Sequence, residues 1–142
     1  MSSDSFLFVY GSLKRGLHNH GYLADSQRIG NYHTDNAYVL LAGPGYPYLL
    51  KPEQINTVSA LQVKGECYLV NSSVLTATDN LEANGVFYQR EEVVIRSQAT
   101  GEKLQAWAYF LLDTRYVHEQ CPQTLTKGRV DIARNMYVWR PG

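Results

Sequence analysis

The sequence has few cysteines, no imbalance of charge and no long apolar run, and each shortage narrows what the chain does. Only Cys67 and Cys121 occur among its 142 residues, too few for the disulfide framework of a small secreted domain, and they are expected to stay reduced. Thirteen Lys and Arg balance thirteen Asp and Glu. No overall field therefore draws the chain to nucleic acid or to an anionic membrane. No apolar run approaches the roughly 20 residues of a membrane span. The N-terminus also lacks the basic start and long apolar segment of a signal peptide. Together these predict a cytoplasmic protein with no nucleic acid and no membrane among its partners. His18 and His20 flank one residue, but no third and fourth ligand follows at a metal-site spacing, so no metal is expected. Ser12 lacks the Gly-x-Ser-x-Gly elbow of a serine nucleophile. Lys14-Arg15 lacks the full phosphate-loop pattern, and the tyrosines are spread along strands rather than gathered beside basic residues.

What is present fits one domain over residues 1–142. With 44% hydrophobic residues, a chain of this length buries about two-thirds of its unfolded surface around a single core. Phe6-Leu7-Phe8-Val9-Tyr10 reads as a buried strand running into the turn Gly11-Ser12-Leu13-Lys14-Arg15-Gly16. Such a turn, fixed at the end of a core strand, points backbone N–H groups in one direction and suits an anion such as a carboxylate. Strands are expected at Gln27–His33 and Asn36–Ala42, joined by the turn-prone Thr34-Asp35-Asn36. Gly43-Pro44-Gly45-Tyr46-Pro47 reads as a loop. Gln62–Val70 is a further strand, with Gly65 a bulge or a point of close backbone approach. A helix follows the capping residues Asn71-Ser72-Ser73 and runs to about Glu82, with Val74, Leu75, Thr78 and Leu81 on one face. Tyr88–Arg96 and Leu104–Leu112 alternate about Ala99-Thr100-Gly101-Glu102 as a hairpin. Gly128–Arg140 is a short strand or a helix. Strands with hairpin connections and few helices predict an α+β domain.

Several of these segments carry a resemblance. Tyr10-Gly11-Ser12-Leu13 with Lys14-Arg15-Gly16 and Asn19-His20, and Asp79-Asn80-Leu81-Glu82 followed by Tyr88-Gln89-Arg90, are similar to the signature blocks of the γ-glutamylcyclotransferase-like family. The chain is most similar to the γ-glutamylamine cyclotransferase branch. Tyr46-Pro47-Tyr48-Leu49-Leu50 and Val63-Lys64-Gly65-Glu66-Cys67-Tyr68 match more weakly, and the blocks run in the family's order from residue 6 to 112. The resemblance implies a small mixed, partly closed β-barrel with a few flanking helices and a cavity at the end of the first strand. It implies that a γ-glutamyl compound, the small-molecule partner, loses its amine as its own α-nitrogen closes a ring to give 5-oxoproline, without a cofactor. Alternatives are a small-ligand-binding domain without turnover, or an enzyme that removes a protecting γ-glutamyl group in a biosynthetic pathway. Whether the chain forms a homodimer is left open.

The resemblance also assigns roles. Glu82 matches the family's acid–base, and a carboxylate in reach of the α-amine can take its proton and return one to the leaving nitrogen. On its own, a glutamate at a helix C-terminus faces the negative end of the helix dipole, a poor place for a charge. Tyr10, Gly11, Ser12 and Leu13 would hold the substrate carboxylate. Tyr88 either orients the ligand or packs. Arg90 is expected to pair with Asp79 and hold the helix end. Asn19 and His20 would tie down the loop after the first strand. A cavity-facing Glu82 is expected to contribute little to stability. Two positions depart from the family's pattern: Ala83 stands where a glycine is frequent, and Thr78 where an apolar residue usually precedes the aspartate. The C-terminal third, after Leu112, carries no match, which leaves the leaving group undefined.

Overall fold

A computed structural model gives the structure of the protein, described at residues 4–11, 14, 20–42, 47–55, 59–114 and 130–139. The first strand, β1 (Ser5–Val9), leaves Tyr10 just beyond its end. Next come β2 (Gln27–Thr34), β3 (Val39–Ala42), β4 (Pro47–Leu50) and β5 (Gln62–Val70). After α1 (Ser72–Leu81) follow β6 (Tyr88–Ser97), β7 (Lys103–Leu111), β8 (Val130–Ala133) and β9 (Met136–Trp139). Short 3-10 turns lie at His20–Leu23 and Pro52–Gln54.

Five strands close on themselves in the order β1-β7-β6-β2-β5, with β5 returning to β1. All contacts round the ring are antiparallel except β1 with β7, which is parallel through Leu7 and Trp107. Closure leaves the ring no free sheet edge. The result is the expected α+β barrel of mixed strand direction. Register then decides which side chains face inward, because strand residues alternate between faces. Phe8, Tyr10, Tyr32, Val63, Cys67, Val93, Ile95, Ala106, Ala108 and Phe110 form one buried cluster drawn from every strand of the ring, the filling of the barrel. Leu7, Val9, Tyr68, Val70, Tyr88, Tyr109 and Leu111, on the opposite face of the same strands, form the other.

Helix α1 covers that outer face. Asn71 caps it, its Oδ1 accepting the Val74 N–H at 2.9 Å, a contact whose removal typically costs about 1 kcal/mol. Val74, Leu75 and Leu81 pack on the outer cluster, and Thr78 beside them is wholly buried. Gly65 is a point of close approach, since a Cβ there would stand 2.4 Å from the Val9 carbonyl oxygen and 2.7 Å from the Phe8 ring. The register shift in β2 lies elsewhere, between Arg28 and Gly30.

Two regions differ from the sequence-based expectation. Strands β2 and β3 are neighbours along the chain but do not pair. Instead, β2 joins β5 and β6, and β3 forms a separate two-stranded sheet with β4. Pro47, expected in a loop, opens β4, whose residues are all buried. Between the two readings of the C-terminal segment, the outcome is a hairpin: β8 and β9 turn at Arg134 and Asn135, both at positive φ (54° and 63°), as a tight two-residue connection requires. Strand β9 extends the barrel sheet by pairing with the start of β5.

Candidate active site

The site expected from the sequence draws on the ends of β1 and α1 and the starts of β4 and β6. Tyr10 is 7% exposed, and its hydroxyl donates to the Tyr109 carbonyl of β7. Gly11 follows, and the Lys14 N–H donates to the Gly11 carbonyl at 3.0 Å, closing a turn over residues 11–14. A Cβ on Gly11 would stand 2.9 Å from Pro47 Cγ, so the turn lies against the start of β4. Tyr88 approaches from the other side, its hydroxyl donating to the Pro47 carbonyl at 2.7 Å. Tyr88 is 4% exposed. Ser12, Leu13, Arg15, Gly16, His18, Asn19, residues 43–46 and Cys121 lie outside the described residues. His20 is described, its ring 5.6 Å from that of Tyr68.

Glu82 occupies the C-cap of α1, its N–H donating to the Thr78 carbonyl at 2.9 Å. The chain turns sharply after it: Ala83 takes the left-handed conformation at φ 49°. That is the conformation a helix end commonly gives to glycine, which accounts for glycine being frequent in the family at this position. The Ala83–Tyr88 loop is closed by main-chain bonds, Phe87 N–H to Ala83 at 2.9 Å and Gly85 N–H to Tyr88 at 2.7 Å. Burial pushes the Glu82 carboxyl up to about 7 from an ordinary 4.5. Among the described residues no cation pairs with it. The Tyr10 phenol is held well above its usual value, first by burial and next by the negative charge of Glu82.

A polar network holds the last turn of α1. Arg90 Nε lies 2.9 Å from Asp79 Oδ1, the pairing expected from the sequence, although the N–H is not aligned on that oxygen. The Arg90 guanidinium also stacks 4.3 Å above the Trp107 ring, and the Arg90 N–H donates to Asn84 Oδ1 at 2.8 Å. Tyr109, which the sequence reading did not single out, donates from its hydroxyl to Asp79 Oδ1 at 2.7 Å. The Tyr109 hydroxyl oxygen also lies 2.8 Å from Thr78 Oγ1. Thr78, a departure from the family's apolar preference, is thus a buried hydroxyl with partners. A cleft of about 190 Å³ elsewhere, lined by Lys14, Asn31, Lys64, Glu66 and Gln98 among others, contains neither Glu82 nor Tyr88. Among the described residues, no group of three or more His, Cys, Asp or Glu is arranged to hold a metal ion, and no helix is long and apolar enough to cross a membrane.

The sequence and the fold are similar to those of known proteins. The family described as gamma-glutamyl cyclotransferase, AIG2-like, matches residues 7–129. A protein of Methanocaldococcus jannaschii, named as a candidate γ-glutamylcyclotransferase, is 35% identical over 74% of this chain and 82% of its own length. The γ-L-glutamyl-butirosin B γ-glutamyl cyclotransferase of Niallia circulans is 34% identical over 54% of this chain and 44% of its own length. In three dimensions the fold is similar to that of a mouse AIG2-like protein, with a TM-score of 0.67 over 98% of this chain and 97% of the other, at 22% identity.

Proposed function

The chain belongs to the γ-glutamyl cyclotransferase, AIG2-like family, and on that footing we propose that it releases an amine from a γ-glutamyl compound as 5-oxoproline, with Glu82 as acid and base. Membership makes it an enzyme of the γ-glutamylcyclotransferase type. The observation that carries the finer reading is the Glu82 carboxyl, half-buried without a described cation, lifted to about 7 and close enough for its charge to act on the Tyr10 phenol. A group that titrates near neutrality is suited to both taking and giving a proton there.

In this mechanism the Gly11–Lys14 turn holds the substrate α-carboxylate through backbone N–H groups. The α-amine, bonded to the same carbon, then faces Glu82. Ionised Glu82 accepts a proton from the α-ammonium, whose ordinary value lies near or above 7.7. The freed nitrogen attacks the γ-carbonyl carbon and forms the C–N bond of the five-membered lactam. Glu82 gives that proton to the departing nitrogen as the original amide bond breaks, then takes the second proton that the ring nitrogen sheds in becoming the lactam N–H and passes it to the released amine, which leaves as its ammonium ion. The reaction is internal to the substrate, so no co-reactant is consumed. Holding the substrate folded is a large part of the catalysis.

The test is incubation of the purified protein with a panel of γ-glutamyl amines and γ-glutamyl dipeptides while following 5-oxoproline. Glu82→Gln should lower turnover by about two to four orders of magnitude. Near-normal turnover in that variant removes Glu82 from the reaction. Product binding without turnover on any substrate leaves the non-catalytic binding domain as the reading. The Niallia relative, named for γ-L-glutamyl-butirosin B, makes γ-glutamylated amines of biosynthetic origin the first members of the panel.

A further inference from the structure

We propose that Tyr109 is a positioning residue, which fixes the Glu82 end of α1 relative to the Tyr10–Gly11 turn by holding one with its side chain and the other with its backbone. The proposal rests on the reading of Glu82 as the acid–base. Tyr109 is 3% exposed and stands in the middle of the outer cluster, between β1 and the helix. Its carbonyl accepts the hydroxyl of Tyr10, the residue just before the turn. Its hydroxyl reaches the opposite way, to Asp79 Oδ1 at 2.7 Å and Thr78 Oγ1 at 2.8 Å.

Proton bookkeeping gives the network one direction. The Tyr109 phenol has one proton, spent on the acceptor-only carboxylate of Asp79. Thr78 then has its proton for Tyr109, with the Leu75 carbonyl at 3.0 Å as its alternative acceptor. Both anchored residues lead into the chain that carries Glu82. The Thr78 carbonyl accepts the Glu82 N–H at 2.9 Å, and the Asp79 carbonyl accepts the Asn84 N–H at 2.9 Å. A shift of the last helical turn therefore moves the carboxyl directly. Arg90, stacked on Trp107, holds Asp79 from the far side, so loss of the Tyr109 hydroxyl leaves the helix attached but free to settle differently. A displacement near 1 Å in such a site costs on the order of 100-fold in rate.

Tyr109→Phe removes the hydroxyl and keeps both the ring and the carbonyl that holds Tyr10. Measured per folded molecule, kcat should fall about 10- to 100-fold with KM and 5-oxoproline affinity within about twofold, because the turn is untouched. The acid limb of the pH–rate profile should move downward as the Glu82 carboxyl gains access to water. Thr78→Ser, which keeps the hydroxyl, should stay within about threefold of the parent. A folded Tyr109→Phe protein with unchanged kcat and an unmoved limb overturns the proposal and leaves Tyr109 a packing residue. Should Tyr109→Phe not fold, Thr78→Val gives the same reading: loss of kcat supports the proposal, and unchanged kcat overturns it. Glu82→Gln run in parallel separates the two ideas. Inactive Glu82→Gln beside a fully active Tyr109→Phe sinks the positioning role alone, whereas an active Glu82→Gln sinks the acid–base reading itself.

Discussion

Replacing Glu82 by glutamine should make the protein more stable at neutral and alkaline pH while removing its activity, and the size of the gain follows from the carboxyl's surroundings. Burial raises Glu82 from 4.5 to about 7. Ionising it in the folded chain therefore costs about 3 kcal/mol more than ionising it in the unfolded chain. Below about pH 4.5 both states hold the proton and the group contributes nothing to pH dependence. Between about 4.5 and 7 the folded state keeps a proton that the unfolded state has lost, so stability falls as pH rises through this window. Above about 7 the whole deficit is present. Glutamine has nearly the shape of the protonated acid and never ionises.

The variant should therefore match the parent near pH 4.5 and exceed it by about 2–3 kcal/mol at pH 8. For a chain of this length that is a rise of roughly 5–10 °C in Tm. The raised Glu82 carboxyl predicts that the substitution is felt in stability, in place of the small effect expected for a cavity-facing side chain. Melting both proteins by circular dichroism at pH 4.5, 6, 7 and 8 tests the argument. A gap in Tm that does not vary with pH, or a parent more stable than the variant at pH 8, refutes it. The same titration should appear as an ascending limb near pH 7 in kcat/KM, well above the ordinary carboxylate range.

Three other perturbations have defined outcomes. Ala83→Gly relieves a left-handed alanine at φ 49° and should stabilise the fold by about 0.5–1 kcal/mol in urea unfolding with turnover unchanged. Gly11→Val places side-chain carbons against Pro47, which lies 2.9 Å from even a Cβ, and in folded protein should weaken 5-oxoproline binding by about tenfold or more on calorimetric titration. Tyr88→Phe leaves the Pro47 carbonyl without its 2.7 Å donor and should cost about 1–2 kcal/mol of stability by urea unfolding.

Local pattern made much of this molecule legible, and partner choice hid the rest. Strand β5 has the bounds its run of β-favouring residues predicts, and α1 begins where Asn71 offers a capping side chain. The β6–β7 hairpin follows from alternation on both sides of a turn-prone tetrad. Alternation says nothing of which strand sits beside which, so the crossing of β2 past β3 to β5 and β6 was invisible. Strand β4 is buried on both faces and only four residues long, which leaves no period to read. The signal for the β8–β9 turn was present in Asn135, a residue that tolerates positive φ. Glu82, Tyr10, Tyr88, Arg90 and Asp79 stand out in the sequence because their spacing resembles a family. Tyr109 does not, since the chain has eleven tyrosines and only the fold shows that this one is bonded to both halves of the site.

The placement of Glu82 explains why those supports are needed. A half-buried carboxyl at the negative end of a helix is disfavoured when ionised both by desolvation and by the helix dipole. A loosely held side chain in that position would escape by turning into water, and its titration would return to the ordinary range. Here the preceding turn is held by Tyr109 and Arg90, the following turn by the Ala83 bend and the Asn84 bonds. The carboxyl therefore stays in its environment, and the strain is met by keeping the proton to about pH 7. A group held this way loses stability as it ionises and gains basicity in the same step. The same burial thus predicts both the thermal gain of Glu82→Gln and its loss of turnover, and the two measurements must agree on one midpoint.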